Sequence, residues 1–443
     1  MVDVEVELSE SAAPGDESSD RVTTRPTNWA GNVTYRAGRV HFPRTVDQLQ
    51  ELVAASTSVR PLGTGHSFNR IADTTGALIS VADVPQTCVI DPTRSTVTVS
   101  AGMRYGELAA HLHEAGYALR SLGSLPHISV AGAIATGTHG SGDTVGSLAT
   151  AVAALQMVTA DGELTYVSRE TDGEEFCGTV VGLGALGIVT RVTLHVVPTY
   201  EMRQWVYDDL PRTALVEHVD AIFASAYSVS LFTDWRSEGV DHVWLKHRMH
   251  GSGTVEPPTD WLGATLADGP RHPIVGMPVE NCTEQLGVPG PWHERLPHFR
   301  REFMPSSGQE LQSEYFLPRE HVLDALEAIE RIRHRVGPLV QVSEIRTVAR
   351  DDLWLSPSHG HHTVAIHFTW VPDTTAVTPV LGALQEQLAP FRPRPHWGKL
   401  FSTSPQTLAC GYARYADFTA LMARHDPTGK FRNQLLDRWF PPG

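Results

Sequence analysis

The sequence predicts an α+β protein built from two domains. The chain has 443 residues, a length for which two domains are the usual expectation. In the first half, Val97–Ser100 alternates apolar and polar residues as a strand does, and Met103–Ala115 then places apolar residues at helical spacing. In the second half, two strands lie between the helical stretches Arg319–Val336 and Thr375–Leu388. Both halves therefore mix helices with strands.

The N-terminus and the composition exclude several classes of protein. Residues 1–20 are acidic and rich in Ser and Ala, without the basic and apolar segments of a signal peptide, so we expect a disordered leader. The net charge of −15 argues against nucleic acid or an anionic membrane as a partner. No apolar run reaches the roughly 18 residues of a membrane span. The cysteines show neither CxxC nor disulfide-framework spacing, and we expect a cytoplasmic protein.

A glycine loop with a histidine at its tip follows the first helix. Thr45–Val59 has apolar residues at helical spacing and then a short extended run, which leads into Pro61–Asn69. Gly63 and Gly65 allow backbone N–H groups to turn toward an anion such as a pyrophosphate. His66 is placed to reach the ring that such a pyrophosphate carries. The alternative is a glycine-flanked surface histidine without a function.

A second glycine-rich segment, Ser124–Gly142, follows the strand–helix unit. A β-hairpin is predicted next, between Ala153–Thr159 and Leu164–Ser168, because the Asp-Gly between these runs is a strong turn signal.

A third glycine segment, Gly182–Gly187, fits the pattern G-x-G-x-x-G, but its context excludes a nicotinamide site. That site requires a helix after the glycines, whereas Ile188–Val197 is β-branched and alternating and predicts a strand. A phosphate site at a helix N-terminus therefore cannot form there. Pro198–Tyr200 then marks the crossing into the second domain.

Polar residues share one face of the two strands in the second domain. Alternation along Leu339–Val348 places Glu344 and Arg346 on the same face. Along Thr363–Trp370 it places His367 and Thr369 on one face and four apolar residues on the other. Two interpretations stay open: an ion pair on an exposed sheet surface, or a polar pocket in which Glu accepts from the hydroxyl groups of a polyhydroxylated molecule and Arg donates to them.

The histidines between residues 359 and 362 do not predict a metal site. They lie in a turn-like stretch without a carboxylate at ligand spacing, so we expect a solvent-exposed loop and no metal.

Motifs along nearly the whole chain, from about Asn28 onward, resemble those of bacterial alditol oxidases in the aldonolactone-oxidase branch of the vanillyl-alcohol-oxidase-type flavoproteins. The motifs are Gly65–Asn69, Ala118–Gly142, Val229–Trp235, Asn281–Gln285, Gly290–Glu294, Glu344–Thr347 and His396–Lys399. The resemblance implies an FAD-binding domain of two α+β subdomains at residues 21–199. It also implies an α+β substrate domain at residues 200–395 and a C-terminal segment, residues 396–443, that returns to the FAD-binding domain.

The resemblance implies FAD as the cofactor, attached covalently through His66, where such enzymes bond the flavin C8 methyl group. The second loop has no cysteine, so attachment through this histidine alone is implied. The other positions implied to contact FAD are Leu62, Gly63, Thr64, Gly65, Ser67, Phe68, Gly123, Ser124, Ser129, Gly132, Ala135, Thr136, Gly140, Ile188 and His396.

The resemblance further implies oxidation of the terminal primary alcohol of a polyol such as xylitol or sorbitol, with reduction of dioxygen to hydrogen peroxide. We expect the protein to be a monomer. The positions implied to bind the polyol are Ser124, Glu344, Arg346, Thr369 and Lys399. Those expected to act in catalysis are Lys399, Arg346, His367 and Glu344, with His367 a reasonable general base by residue type. An ammonium group near a flavin would stabilise negative charge on the reduced ring, although a surface lysine is the alternative for Lys399.

Two other functions stay open at this point. An aldonolactone oxidase or dehydrogenase, of the gulonolactone or galactonolactone type, shares the same flavin loops and strand motifs. A non-catalytic protein that binds a sugar or a flavin would also keep the pocket. Gly123 lies where this superfamily has a small residue if oxygen reaches the flavin, which favours an oxidase.

Overall fold

The computed structural model describes residues 26–249, 257–303 and 309–442. The predicted leader at residues 1–20 lies outside these ranges, and so does the start of residues 251–291, a stretch that is rich in Gly and Pro. No helix within them is both long and apolar enough to cross a membrane.

The chain up to residue 198 alternates short strands with short helices. Its strands are β1 (Val40–His41), β2 (Val59–Pro61), β3 (Ala77–Ile79), β4 (Cys88–Asp91), β5 (Thr96–Ser100), β6 (Tyr117–Ala118), β7 (Val152–Val158), β8 (Leu164–Ser168), β9 (Ile188–His195) and β10 (Val197–Pro198). Its helices are α1 (Val46–Ala55), α2 (Tyr105–Glu114), α3 (Val130–Ala135) and α4 (Arg169–Val180).

These strands form three sheets. A parallel sheet has the order β1-β3-β2, an antiparallel sheet has the order β4-β5-β9-β7-β8, and β6 pairs with β10. The predicted hairpin is confirmed as β7–β8, and Gly162 in its turn has a φ of +90°, which favours glycine. The strand predicted after Gly187 is confirmed as β9.

The remainder of the chain contains one large sheet and further helices. Its strands are β11 (Glu201–Leu210), β12 (Ser228–Thr233), β13 (Val240–Arg248), β14 (Asp260–Trp261), β15 (Ala264–Leu266), β16 (Gly290–Pro291), β17 (Leu311–Pro318), β18 (Val340–Val348), β19 (Thr363–Trp370) and β20 (Arg394–Pro395). Its helices are α5 (Arg212–Ala224), α6 (Val322–Glu330), α7 (Arg333–Val336), α8 (Thr374–Leu388), α9 (Pro405–Gly411), α10 (Tyr415–His425) and α11 (Gln434–Trp439). The large sheet has the order β14-β15-β11-β13-β12-β18-β19-β17-β20, and β16 pairs with β11.

The two faces of the large sheet have different environments. Ile345 of β18 and Ile366 and Phe368 of β19 are buried in one apolar cluster with side chains of α6 and α8, such as Ile329 and Leu384. The alternate residues of the same strands therefore point away from these helices. This opposite face bears the polar residues that the sequence singles out.

The helical stretch Arg319–Val336 is not one helix. It begins as a 3₁₀ turn, continues as α6 and breaks before α7, because Ile332 adopts φ −113° and ψ 15°. The C-terminal segment packs against the first part of the chain, since Trp397 and Phe440 lie in the same apolar core as Leu108. The domain boundaries given above stay a prediction.

Candidate active site

A continuous cavity of about 770 Å³ lies between the two parts of the chain. The glycine loops and the start of β9 line one end of the cavity, and the polar face of β17, β18 and β19 lines the other. A single space therefore joins the predicted cofactor residues to the predicted substrate residues.

The first glycine loop is held in the cavity wall by the C-terminal segment. The side-chain amide of Asn69 donates hydrogen bonds to the carbonyls of Trp397 (2.7 Å) and Lys399 (2.8 Å). Gly65 has a φ of +72°, in the left-handed region that favours glycine. The loop and Lys399 therefore keep a fixed relative position although they are far apart in the sequence.

A recess without Cβ atoms lies between the two loops. A Cβ atom on Gly63 would lie 2.5 Å from Ser129 Oγ, and one on Gly132 would lie 2.8 Å from it. This buried Oγ has no hydrogen-bond partner in the described part of the chain, although buried hydroxyls are normally paired. Nor do the backbone N–H groups of residues 63–67 donate to an acceptor within the described ranges. Unpaired donors around such a recess fit the pyrophosphate of a dinucleotide like FAD.

His66 lies in the wall beside this recess. Its Nδ1 is 2.9 Å from Thr64 Oγ1, and its ring stacks on that of Trp29 with centroids 5.0 Å apart. Burial, followed by the charges of His127 and Arg104, lowers the pKa of His66 to about 4, so the imidazole is neutral at pH 7. In the tautomer that donates Nδ1–H to the threonine, Nε2 keeps a lone pair and is nucleophilic.

A buried arginine fixes the third glycine segment against the cavity. Arg60 is 1% exposed and donates to the carbonyls of Leu183 (2.7 Å) and Gly184 (2.8 Å), as well as to that of Phe431 (2.7 Å). The segment is thus an ordered turn before β9, whose first residue, Ile188, is one of the positions implied to contact FAD.

Strand register assembles the other end of the cavity. His367 of β19 is paired with Glu314 of β17 on one side and with Glu344 of β18 on the other. Arg346 lies two residues after Glu344, and Thr369 lies two residues after His367, so alternation brings both to the same face. We call these five residues the polar floor.

Glu314 of the polar floor joins three basic side chains. Its carboxylate accepts hydrogen bonds from Lys399 Nζ (2.7 Å) and Arg346 Nη2 (2.7 Å), and His139 Nε2 lies 3.1 Å from it. Burial alone would raise the pKa of Glu314, but Lys399, His139 and Arg346 outweigh burial and hold this pKa well below its ordinary value. Glu314 is therefore an anion, although its side chain is 0% exposed.

Arg346 lies between two carboxylates. Besides its bond to Glu314, its Nε is 3.4 Å from Glu344 Oε2 and its Nη1 is 3.3 Å from Ser124 Oγ. Burial opposes ionisation of Glu344, but Arg346 and His298 outweigh it and lower the pKa of this carboxyl. Glu344 and Arg346 are each only 5% exposed, so the alternative of an ion pair on an exposed sheet surface is wrong.

Lys399 and His367 form a second coupled pair. Lys399 Nζ is 2.8 Å from His367 Nδ1, and His367 Nε2 is 3.1 Å from Thr369 Oγ1. Burial lowers the pKa of Lys399, while Glu314 raises it. Burial and then Lys399 hold the pKa of His367 well below its ordinary value, so this imidazole is neutral. A neutral base and an ammonium group thus lie side by side in the cavity wall.

The structure brings together the predicted site residues except Gly140. The predicted residues that line the cavity are Leu62, Gly63, Thr64, Gly65, His66, Ser67, Phe68, Gly123, Ser124, Ser129, Gly132, Ala135, Thr136, Ile188, Glu344, Arg346, His367, Thr369, His396 and Lys399. A Cβ atom on Gly140 would lie 2.5 Å from Ser121 Oγ and 2.6 Å from the Leu122 carbonyl. Close backbone packing therefore accounts for Gly140, which has no place in the cavity lining.

Glu314, His298 and Arg60 also belong to this site and were not predicted from the sequence. A signal exists for Glu314, because the sequence of β17 alternates and places Gln312 and Glu314 on one face. His298 belongs to a loop without periodicity, and Arg60 to a strand of three residues, so neither had a local signal.

The histidines near residue 360 are removed from this chemistry. His359 and His361 are half-buried and His362 is exposed. Among the described residues, no group of three or more His, Cys, Asp or Glu side chains is arranged to hold a metal ion.

Two family models match parts of the chain. Residues 37–168 match an FAD binding domain, and residues 304–439 match D-arabinono-1,4-lactone oxidase. The first range contains the first two glycine loops, and the second contains the polar floor and Lys399.

The chain is also similar to named proteins over most of its length. It is 52% identical to an alditol oxidase of Streptomyces sp. (strain IKD472 / FERM P-14339), over 94% of this chain and 99% of that protein. It is 27% identical to an L-gulono-1,4-lactone dehydrogenase of Mycobacterium tuberculosis, over 94% of this chain and 99% of that protein. This lactone dehydrogenase is thus more distant from the chain than the alditol oxidase is.

Two solved structures share the fold. A solvent-stable cholesterol oxidase gives a TM-score of 0.75 at 16% identity and covers 93% of this chain and 96% of its own. A cholesterol oxidase from B. sterolicum gives a TM-score of 0.74 at 15% identity and covers 98% of this chain and 100% of its own. At such low identity the likeness concerns the fold alone, and it confirms the predicted α+β class.

Proposed function

The chain belongs to the alditol oxidases, in the aldonolactone-oxidase branch of the vanillyl-alcohol-oxidase-type flavoproteins, and from this membership we propose its reaction. It oxidises the terminal primary alcohol of alditols such as xylitol and sorbitol to the aldose, and dioxygen is reduced to hydrogen peroxide. The observation that supports this proposal most directly is the polar floor, where Glu314, Glu344 and Arg346 meet Lys399 in a buried cavity.

The chain binds FAD, since residues 37–168 match an FAD-binding domain. When bound, FAD supplies the acceptor for the hydride that leaves the alcohol carbon. The recess between Gly63 and Gly132 holds the pyrophosphate, and the unpaired hydroxyl of Ser129 donates to it. We assign covalent attachment to Nε2 of His66, which is supported by the neutral state of its imidazole in the cavity wall.

The substrate hydroxyls are held by residues of the polar floor together with Lys399 and Ser124. Arg346 and Lys399 donate hydrogen bonds to the oxygen on the carbon that is oxidised, while Glu344 accepts from the next hydroxyl. Ser124 and Thr369 line the same part of the cavity and contact further hydroxyls. Such positioning of a reacting group lowers a barrier by as much as about 7–11 kcal/mol.

The reacting hydroxyl gives its proton to Lys399, which passes one of its own N–H protons to Nδ1 of the neutral His367. His367 is neutral because burial lowers its pKa, and its Nδ1 lies 2.8 Å from Lys399 Nζ. Glu314 stabilises the positive charge that the pair gains, since its carboxylate is 2.7 Å from the same ammonium group.

Gly123 supports dioxygen as the electron acceptor. It lines the cavity, and a Cβ atom there would contact Ile128 and Thr138 at an ordinary 3.6 Å. Packing against the protein therefore does not require a glycine at this position. The space that its missing side chain leaves suits access of a small molecule such as dioxygen to the cofactor.

An oxygen electrode tests this function. The purified holoenzyme is given xylitol, sorbitol, mannitol, glycerol and L-gulono-1,4-lactone in turn, and oxygen consumption and peroxide release are measured. We expect xylitol or sorbitol to give a kcat/KM at least about tenfold above that of the lactone, because an alditol offers an open chain with a hydroxyl on every carbon to the polar floor, whereas the lactone has part of its chain closed into a ring.

The same experiment separates the alternatives. Peroxide release with the lactone but not with alditols would favour an aldonolactone oxidase, in line with the family match over residues 304–439. Anaerobic bleaching by alditols without oxygen consumption in air would indicate a dehydrogenase. A protein that no polyol and no lactone bleaches would be a binding protein.

The variant His66→Ala tests the covalent attachment. After acid precipitation, the wild-type pellet should stay yellow, whereas the variant should release its flavin into the supernatant because it lacks the nucleophilic imidazole. His195→Ala, which removes an exposed histidine on β9, is the control and should retain the flavin. A yellow pellet from the His66 variant would disprove attachment at this residue.

A further inference from the structure

Lys246 on β13 is a buried lysine to which the proposed reaction assigns no role. It is 1% exposed, and its Nζ lies 2.6 Å from the Leu296 carbonyl, 3.0 Å from the Pro297 carbonyl and 3.1 Å from His298 Nδ1. The three N–H groups of one ammonium match these three acceptors, which belong to consecutive residues. Lys246 therefore fixes both the backbone before His298 and the orientation of its ring.

His298 transmits this orientation to Glu344. Its Nε2 is 2.7 Å from Glu344 Oε1, and the rings of Phe232 and Trp244 pack nearly perpendicular to the imidazole, with centroids 5.5 Å and 5.1 Å away. Because Lys246 donates to Nδ1, the neutral ring has its proton on Nε2 and donates it to the carboxylate.

We propose that Lys246 and His298 form a positioning pair, which holds the carboxylate of Glu344 in the orientation that receives the polyol hydroxyl next to the reacting carbon. This inference rests on the proposed function and adds two residues to it. Lys246 does not line the cavity and acts only through His298, whose ring lies at the cavity wall.

Glu344 requires such a partner because its other contact is weak. Its Oε2 is 3.4 Å from Arg346 Nε, which is longer than a normal hydrogen bond between charged groups. The short bond from His298 is therefore the one that orients the carboxylate. Without it, Glu344 is free to rotate into a closer ion pair with Arg346, and the oxygen assigned to the substrate hydroxyl would be occupied.

The charge state of the pair is compatible with this role. Burial lowers the pKa of Lys246 to about 7, against an opposing effect of Glu344, so the ammonium form with three donors predominates below pH 7; burial followed by Lys246 lowers the pKa of His298 to about 4. The histidine is thus neutral at pH 7 and donates from a single nitrogen, as the orientation argument requires.

A lysine suits the position of Lys246 better than an arginine would. Lys246, Lys399 and Lys430 are the three lysines among 35 basic residues of the chain, and two of them lie at or behind the polar floor. An ammonium group directs three donors from one atom, whereas the planar fork of arginine cannot meet three acceptors grouped around one point.

Two pairs of variants test the proposal in the holoenzyme with xylitol. Lys246→Met should lower kcat/KM about tenfold or more, mainly through KM, with unchanged flavin absorbance, because a hydrogen bond to a charged group is lost. His298→Leu should have a similar effect, whereas His298→Gln, whose amide still donates to Glu344, should stay within about threefold of wild type. Lys430→Met removes a lysine that donates to the Val53 carbonyl and should change nothing.

A double-mutant cycle with Glu344→Gln separates positioning from general stability. In the Glu344→Gln enzyme, Lys246→Met should change KM by less than about twofold, because the Glu344 carboxylate through which Lys246 acts is already altered. Equal losses in both backgrounds, or equal losses for His298→Gln and His298→Leu, would overturn the pairing. If Lys246→Met does not fold, the two His298 variants decide alone. Wild-type protein without alditol-dependent peroxide release would refute the proposed function, and this inference with it.

Discussion

Glu314 balances the charge of the polar floor, although it has no assigned substrate contact. Its two shortest bonds go to Lys399 and Arg346, the two cations proposed to hold the reacting hydroxyl. A buried carboxylate between two cations keeps both of them ionised and fixed in place. The electrostatics of the site therefore depend on a residue that touches neither substrate nor cofactor in the proposed reaction.

The variant Glu314→Gln should lower kcat/KM for alditols by on the order of a hundredfold or more, because Lys399 and Arg346 lose the buried carboxylate that keeps them ionised and aimed at the reacting hydroxyl. Steady-state peroxide release measures this effect. Glu386→Gln, at an exposed position of α8, is the matched control. If Glu314→Gln kept wild-type kcat/KM with full flavin content, the assigned role would be wrong.

At the scale of elements, strand alternation separates the two faces of β18 and β19. The apolar residues pack on α6 and α8, and the polar residues of the same strands form the cavity floor. Two strands thus belong at once to a hydrophobic core and to a hydrophilic site, which is a direct consequence of the two-residue period. Loops without such periodicity form the opposite end of the cavity.

The short helix α3 supplies one side of the cofactor recess, and Gly132→Ala tests this. The added methyl group would lie 2.8 Å from Ser129 Oγ, an atom that can rotate away, so the protein should fold while the recess is partly filled. We expect the ratio of flavin to protein absorbance to fall below half of the wild-type value.

The matched control for this variant is Gly382→Ala in α8, where a new Cβ atom would meet nothing within 4 Å. It should keep the full flavin content and a normal melting temperature, because alanine favours a helix more than glycine does. Full flavin content in both variants would contradict the assignment of the pyrophosphate to this recess.

At the scale of the whole molecule, several buried histidines should make stability depend on pH. Burial lowers the pKa of His293, His298 and His361 to about 4. The unfolded chain binds protons on these groups below about pH 6.5 while the folded protein does not, so unfolding becomes more favourable as pH falls. Asp351 has the opposite effect, because burial raises its pKa to about 6.

Three histidines outweigh one carboxyl, so the melting temperature of the holoenzyme should fall by several degrees between pH 6.5 and pH 5 at constant ionic strength. Thermal unfolding measures the difference. His361→Gln should reduce the drop, whereas His362→Gln, at the exposed neighbouring position, should leave it unchanged. An equal or higher melting temperature at pH 5 would contradict the linkage argument.

Much of the fold follows from local patterns of the sequence. Turn residues predict the hairpin β7–β8, and the two-residue period predicts the strand β9 and the shared face of Glu344 and Arg346. Both signals depend only on residues that are close together in the sequence. The glycine loops also predict a cavity wall, because each glycine in the sequence shows directly where a Cβ atom is missing.

Only the tertiary structure decided which groups meet across the cavity. Glu314 and Lys399 belong to elements 85 residues apart, and Lys246 meets His298 through a loop without periodicity. Gly140 belongs to a predicted cofactor loop and yet packs against Leu122. The physical reason is that a local pattern specifies which face a side chain occupies, whereas sheet register and burial specify its partners and its charge, and both depend on segments distant in the chain.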